Sequence, residues 1–235
     1  MPSPAAGTTA FVTLLMCGTY RLPSRTDGNT CHHRGMSTSG AAKPTLRTAI
    51  RESRRARPAE DRTEAGIGLA RVLESAPEFA RATTVTAYAS FGTEPETAPL
   101  LSSLVAAGKR VLLPIVHDDG SLGWVDYTGP ESLSVSERGI PEPVGVESGR
   151  GAQALANAHV DVMLIPALAV DESGARIGKG GGFYDRVLAE LPSHRPIRIA
   201  VVFDDDLLGP GSVPVESYDR PVHAALTPTR LQRFP

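Results

Sequence analysis

A short glycine-rich segment carries the residue types that are best suited to chemistry. Residues 176–186 read RIGKGGGFYDR, with four glycines, three basic side chains and one aspartate in eleven positions. Because glycine has no Cβ, neighbouring backbone N–H groups can converge, and a helix that begins after the glycines adds free donors and a positive dipole end. This pattern favours an oxyanion site for phosphate, with a flexible surface turn carrying solvated charges as the alternative.

Asp185 brings a negative charge next to this expected phosphate site. A carboxylate repels bound phosphates unless a divalent cation lies between them, so the combination predicts Mg²⁺ and a nucleotide triphosphate. Arg176, Lys179 and Arg186 add positive charge. Neither common glycine motif is present, because GxGxxG would need glycine where Phe183 stands and the P-loop pattern GxxxxGKS/T does not occur.

Alternating helices and strands place the glycine segment at one edge of a parallel sheet. The strand TTVTAYASF, the helix APLLSSLVAAG and the strand KRVLLPIV give a β-α-β order, which implies parallel pairing through a right-handed crossover. The apolar run at 161–170 is typical of a central strand covered on both faces. Ligands bind outside the carboxyl ends of such strands, where the glycine segment and a helix beginning near Gly182 follow. The sequence therefore predicts a single α/β domain with an open, mostly parallel sheet flanked by helices.

The chain before this sheet predicts two helices that form an N-terminal hairpin. Residues 43–57 read as a basic helix with Pro44 in its first turn, and Pro58 lies in the first turn of a second helix. Beyond the first strands, SLGWVDYTG predicts an antiparallel strand, and residues 131–153 predict a long irregular stretch.

Residues 1–42 are rich in Ser, Thr, Gly and Pro and lack periodicity. They predict a disordered tail, a weak targeting segment or sequence upstream of the true start, for which Met36 is a candidate. The α/β domain then spans residues 43–235. Both cysteines, Cys17 and Cys31, precede that domain, which excludes a disulfide or a thiol nucleophile within it.

Composition excludes several further classes of function. A net charge of −2 gives no broad attraction to nucleic acid or to anionic membrane. No apolar run approaches the roughly 18 residues that a membrane-spanning helix needs. We therefore predict a soluble protein that acts on a small molecule at a local site, without a nucleic-acid or membrane partner. We further predict that the protein is cytoplasmic and monomeric.

Several segments, in order along the chain, resemble one enzyme family. RIGKGGGFYDR, preceded by VDVMLIPALAVDESG, resembles the signature of the 5-formyltetrahydrofolate cyclo-ligases, also called methenyltetrahydrofolate synthetases. KPTLR, TEPET, KRVLLP, GIPEP and VPVESYDRPV resemble further segments of that family, so the resemblance covers about residues 43–228. It implies an ATP- and Mg²⁺-dependent conversion of 5-formyltetrahydrofolate to 5,10-methenyltetrahydrofolate, in which the formyl oxygen is phosphorylated, N10 attacks, and ADP and phosphate are released.

The resemblance also implies a role for each matching residue. The implied ATP contacts are Lys43, Arg47, Arg176, Ile177, Gly178, Lys179, Gly180, Gly181, Gly182, Phe183 and Tyr184. The implied folate contacts are Tyr88, Ala89, Glu94, Lys179 and Tyr184. The implied catalytic groups are Lys43, Arg176, Lys179 and Tyr184, and the implied magnesium ligands are Asp185 and Asp219.

Simpler interpretations of several of these residues stay open at this point. Lys43 and Arg47 lie one helical turn apart and could form a solvated basic face, and Phe183 fits the core stripe of its helix. Glu94, or Glu96, could cap the helix that follows. Two other functions also stay open: a diverged paralogue that uses ATP and Mg²⁺ on another substrate, and a non-catalytic folate-binding protein.

Overall fold

The structure is a computed structural model, and it describes residues 39–137 and 139–235. The α-helices in this part of the chain are α1 (Ser39–Ala56), α2 (Ala59–Ser75), α3 (Pro77–Arg81), α4 (Ala98–Ala106), α5 (Gly151–Asn157) and α6 (Phe183–Glu190). The strands are β1 (Thr84–Thr86), β2 (Arg110–Val116), β3 (Leu122–Tyr127), β4 (Leu133–Val135), β5 (Pro141–Pro143), β6 (Glu147–Arg150), β7 (Val162–Pro166), β8 (Ala169–Asp171), β9 (Arg176–Ile177), β10 (Ile197–Val201), β11 (Leu207–Leu208), β12 (Ala224–Leu226) and β13 (Leu231–Arg233).

An eight-stranded sheet forms the centre of the described chain, in the order β13-β12-β10-β7-β1-β2-β3-β6. The five strands from β12 to β2 pair in parallel, while β13 at one edge and β3 and β6 at the other pair antiparallel. The predicted open, mostly parallel sheet is confirmed, as is the antiparallel strand at SLGWVDYTG. Within the described ranges, no helix combines the length and the apolar character that crossing a membrane requires.

Strand β7 is buried on both of its faces, as its continuous apolar run predicts. Val162 and Leu164 pack with α2 and α4 on one side of the sheet, whereas Met163 and Ile165 pack with α5 and α6 on the other. All four side chains are at most 1% exposed. Because side chains alternate across a strand, this one strand contributes to both apolar layers of the domain.

The apolar run at 161–170 is two strands rather than one, which corrects the sequence prediction. Strand β7 ends at Pro166, and the chain bends through Ala167 and Leu168 into β8, which belongs to a separate three-stranded sheet with β9 and β11. Proline has no N–H with which to continue a central ladder, so it lies where the strand ends. Hydrophobicity alone does not reveal this bend.

Residues 131–153 are also more regular than predicted. They contain β4 and β5, which pair with each other, and β6, which completes one edge of the main sheet. These strands are short and rich in Ser, Glu, Gly and Pro, so no alternation of apolar and polar residues marks them.

Both predicted N-terminal helices are present, and they pack on different parts of the domain. In α1, Ile50 and Leu46 pack on the small sheet, whereas α2 packs on the main sheet through Leu69 and its neighbours. Helix α1 begins at Ser39, so Pro44 lies inside it and not in its first turn as predicted. The predicted extension 1–42 lies outside the described residues except for its last four, which belong to α1.

Candidate active site

A cleft of about 280 Å³ opens at the carboxyl ends of the parallel strands β1, β2 and β7. Its walls come from α1, the loop after β1, the glycine segment and the loop before β12. Every residue that the sequence nominated for ATP, folate, metal or catalysis lines this cleft: Lys43, Arg47, Tyr88, Ala89, Glu94, the ten residues 176–185, and Asp219. The structure thus places the nominated residues together, and their individual roles stay predictions.

The glycine segment presents a run of backbone N–H donors to the cleft. Helix α6 begins at Phe183, and its N-cap Gly182 has a φ of 64°, in the left-handed region that favours glycine. A Cβ added at Gly181 would lie 2.4 Å from the Phe183 ring. Within the described chain, the N–H groups of residues 179–185 donate no hydrogen bond to protein. Such a run at a helix N-terminus is suited to a bound oxyanion.

Arginine side chains hold the carbonyl side of this segment. Nε of Arg47 donates to the Gly178 carbonyl at 3.0 Å, and Nη2 of Arg51 donates to the Lys179 carbonyl at 3.0 Å. Arg186 donates to the carbonyls of Gly181 and Gly120 and does not line the cleft. Arg186 was expected to add positive charge at the phosphate site, but its guanidinium instead joins the glycine segment to the β2–β3 turn.

Lys43 reaches the cleft from the first half of α1 and is almost fully buried. Its Nζ lies 2.5 Å from Asp219 Oδ2 and 2.7 Å from Glu216 Oε2. Burial opposes the charge, but the hydrogen bonds and charges of Asp219 and Glu216 outweigh it and raise the pKa of the Lys43 ammonium. Lys43 is therefore a fixed cation and not part of a solvated basic face.

Arg176 and Asp185 form a second ion pair in the cleft. Nη2 of Arg176 lies 2.6 Å from Asp185 Oδ1, which also accepts the Arg220 N–H at 3.1 Å. Arg176 is 8% exposed, and its Nε has no hydrogen-bond partner in the described chain. A buried guanidinium with an unused donor can bind an additional anion.

The two nominated magnesium ligands each keep one oxygen available. Oδ2 of Asp185 and Oδ1 of Asp219 accept no hydrogen bond from the described residues. No group of three or more His, Cys, Asp or Glu in the described chain could hold a metal ion by itself. Since Mg²⁺ is commonly bound through one or two carboxylates, substrate phosphates and water, the two aspartates fit a metal that arrives with phosphate.

Another part of the cleft, called the Glu94 end below, is built around Glu94. This carboxylate is 6% exposed, accepts the Phe91 N–H at 3.0 Å and lies 2.8 Å from Lys179 Nζ. The Lys179 ammonium also lies 3.4 Å from the centre of the Phe91 ring. Among the described residues, no side chain caps helix α4, so the alternative interpretation of Glu94 as a capping residue is wrong. Glu96 does not line the cleft.

Two buried tyrosines, Tyr88 and Tyr184, line the cleft near Glu94. Among the described residues, neither the Tyr88 nor the Tyr184 hydroxyl makes a hydrogen bond. Burial, reinforced by the charge of Glu94, raises the pKa of both phenols, so both remain protonated donors. The Thr97 hydroxyl donates to the Tyr88 carbonyl at 2.8 Å and thereby fixes the start of this loop.

Several residues that line the cleft were not nominated from the sequence. Phe91 and Tyr218 supply aromatic rings, and Glu142 approaches from β5, where its Oε1 accepts the Val116 N–H at 3.3 Å. Glu216 pairs with Lys43 from just outside the lining and also accepts the Tyr218 hydroxyl. Phe91 lies two residues before TEPET, and Tyr218 directly precedes Asp219, so their positions in the sequence could have indicated a place in the cleft. Residue type alone did not distinguish them from ordinary loop residues.

The fold and the cleft define an α/β protein whose cleft is suited to an oxyanion and a small polar molecule. Comparison with known sequences gives the family: the 5-formyltetrahydrofolate cyclo-ligase family matches residues 39–228, and the chain belongs to it. This confirms the resemblance found in the sequence and the assignment to a family of enzymes.

Individual relatives agree with this assignment. The 5-formyltetrahydrofolate cyclo-ligase of Mycolicibacterium smegmatis is 39% identical over 197 residues, which are 82% of this chain and 96% of the relative. That of Escherichia coli K12 is 35% identical over 77% of this chain and 98% of its own length. The solved 5,10-methenyltetrahydrofolate synthetase of Aquifex aeolicus aligns with a TM-score of 0.67 and 26% identity, covering 81% of this chain and 92% of that one.

Proposed function

We propose that the protein catalyses the ATP-dependent cyclisation of 5-formyltetrahydrofolate to 5,10-methenyltetrahydrofolate, with release of ADP and phosphate. The observation that carries the proposal is the joint cleft, which is lined both by Glu94 and by buried cations with backbone N–H groups that have no partner in the described chain. The names of the relatives support the same substrate.

The proposed reaction has two balanced steps. The formyl oxygen of the substrate attacks the γ-phosphorus of ATP, and ADP leaves with the electrons of the broken P–O bond. N10 then attacks the activated carbon and loses its proton, and the phosphate departs with the former formyl oxygen as the C–O bond breaks. No protein nucleophile is needed, so positioning and charge stabilisation supply the catalysis.

The phosphate end of the cleft, formed by residues 179–185 with Lys43, Arg47 and Arg176, is suited to the first step. Backbone N–H groups of residues 179–185 bind phosphate oxygens, and Lys43, Arg47 and Arg176 stabilise the negative charge that moves toward the β-phosphate. Asp185 and Asp219 would hold Mg²⁺, which supplies charge neutralisation between the phosphates when it is bound. Lys43 and Arg176 already lie against these carboxylates, so they fix the carboxylates in position.

The Glu94 end of the cleft is suited to the pterin. A pterin presents a ring N–H next to an amino group, and a carboxylate accepts both of these donors. The protonated hydroxyls of Tyr88 and Tyr184 have no partner among residues 39–137 and 139–235, and they can donate to substrate oxygens. Glu94 thus favours a folate substrate over the diverged-paralogue alternative, and the phosphate end of the cleft argues against a mere folate binder.

The proposal is tested by incubating the protein with 5-formyltetrahydrofolate and MgATP and following the near-ultraviolet absorbance of the methenyl product. We expect product to form only when both substrates and Mg²⁺ are present, with one ADP released for each product. ATP consumption without methenyl product would favour the paralogue, and folate binding without turnover would favour the non-catalytic alternative. A cytoplasmic location and a monomeric state remain predictions, which fractionation and light scattering can check.

A further inference from the structure

Arg54 is a buried charge at the end of α1 that lies outside the cleft lining. Its side chain is 1% exposed. Nε donates to Asp206 Oδ2 at 2.9 Å, and Nη2 donates to the carbonyls of Ala167 and Leu168 at 3.0 Å and 2.8 Å. Burying an ion pair is costly, and an apolar pair of similar volume often serves stability equally well. This arrangement therefore needs an explanation beyond the packing of one helix.

The position of Arg54 on α1 supplies that explanation. Lys43, Arg47, Ile50 and Arg54 are spaced by four, three and four residues, which places them on one face of the helix. Lys43 and Arg47 line the phosphate end of the cleft, and Ile50 packs in the small core next to Leu168. Arg54 ends the same face, so it fixes the helix that carries both cleft cations.

Arg54 also binds the bend after β7, which forms the floor of the cleft. Ala167 and Leu168 line the cleft at the bend after β7, and their carbonyls accept hydrogen bonds from the same Nη2 of Arg54. One guanidinium fork therefore connects the α1 wall to the floor formed by the end of β7. A lysine has no such fork, so it cannot hold Asp206 and both carbonyls in the same geometry.

We propose that Arg54 is a positioning residue for the nucleotide half of the reaction. It holds α1 against the β7–β8 bend, so that Lys43 and Arg47 stand at a fixed distance from the glycine segment. Glu94 and Tyr88 are carried by the loop after β1 and not by α1. This inference rests on the proposed function, and it assigns Arg54 to ATP rather than to folate.

Three variants test the inference by steady-state kinetics. Arg54→Lys keeps the charge and removes the fork, whereas the double variant Arg54→Met/Asp206→Leu removes the whole ion pair without leaving a lone buried charge. We expect the KM for ATP to rise about tenfold or more in both, since small displacements of substrate-positioning groups have large effects. The KM for 5-formyltetrahydrofolate should change less than about twofold. The exposed neighbour Arg55 provides the matched control Arg55→Met, which should leave both constants unchanged.

Hydrogen exchange provides a second readout that does not require turnover. In the wild type, MgATP should protect the amides of residues 179–185, and in the Arg54 variants the same protection should require about tenfold more MgATP. Amides of α1 should exchange faster in the variants, whereas those of β7 and β10 should not. Equal increases in both KM values, or unchanged protection by MgATP, would overturn the inference. If the wild type forms no methenyl product, the proposed function fails, while MgATP protection still decides the role of Arg54.

Discussion

The side chain of Lys179 links the two ends of the cleft. Its ammonium lies 2.8 Å from Glu94, while its own carbonyl belongs to the glycine segment and accepts a hydrogen bond from Arg51. Under the proposed function, a pterin that binds Glu94 competes with Lys179 for the same carboxylate. The lysine is then available to the phosphates, so the substrate itself adds a cation to the phosphate end.

Replacing Glu94 tests the recognition of folate directly. We expect Glu94→Gln to raise the KM for 5-formyltetrahydrofolate about tenfold, because a hydrogen bond to a charged group contributes about 1.5–3 kcal/mol. The KM for ATP should change much less. Glu96→Gln is a matched control, since Glu96 lies two residues away and outside the cleft lining. Equal effects of the two substitutions would contradict the role of Glu94.

Replacing Asp185 tests the proposed magnesium site. We expect Asp185→Asn to lower the Mg²⁺-dependent turnover about a hundredfold or more, because loss of a preorganised charge at a phosphoryl site removes several kcal/mol of stabilisation. Folate binding, measured by calorimetry, should be almost unchanged. Equal losses of turnover and folate binding would count against Asp185 as a metal ligand.

At the scale of single elements, Asp161 fixes the beginning of β1. Its Oδ2 accepts the N–H groups of Thr83 and Thr84 and the Thr83 hydroxyl, at 2.7, 3.2 and 3.0 Å. Burial opposes the charge, but these hydrogen bonds outweigh it and lower the pKa of Asp161 below its ordinary value of 3.8. Strand β1 carries the Tyr88–Glu94 loop at its other end, so its position matters to the cleft.

This arrangement predicts a pH-dependent contribution to stability. Because the folded-state pKa is lowered, the contribution is present above pH 3.8 and is lost as the pH falls through the folded pKa. We expect Asp161→Asn to lower the free energy of unfolding by about 1 kcal/mol at neutral pH. Urea titrations at several pH values should show that the difference in unfolding free energy between Asp161→Asn and the wild type decreases as the pH falls. Glu172→Gln, at an exposed position, is the control and should change the free energy of unfolding at neutral pH by less than about 0.5 kcal/mol.

At the scale of the whole molecule, β7 couples the two apolar layers. Leu164 is 1% exposed in the α2/α4 layer, whereas the single tryptophan, Trp124, is fully buried in the α5/α6 layer. We expect Leu164→Ala to lower the free energy of unfolding by about 2–5 kcal/mol, through lost burial and the cavity that remains.

The coupling can be measured with two probes of the same unfolding transition. Trp124 fluorescence reports the far layer, and circular dichroism reports the helices of both layers. Coincident transitions that shift together in Leu164→Ala would establish that the layers unfold as one unit. A fluorescence transition that stays at the wild-type urea concentration would show that the layers are independent.

Much of the fold could be predicted because it follows from local patterns. The β-α-β order and the doubly buried β7 follow from periodicity, since side chains alternate in strands and repeat every 3.6 residues in helices. Where periodicity was absent or interrupted, as in residues 131–153 and at Pro166, the sequence prediction was incomplete. Short strands made of Ser, Gly, Pro and Glu are stabilised by their neighbours in space, which local patterns do not encode.

For the site, the sequence by itself determined the chemical inventory: a glycine segment at the start of α6, the basic face of α1 and the acids in the loops. The tertiary structure alone decided how these groups pair. Lys43 meets Asp219, 176 residues later, and Arg54 meets Asp206 beneath the cleft. The physical reason is that backbone sterics and periodicity act over a few residues, whereas ion pairs and a cleft depend on the order in which distant strands join the sheet.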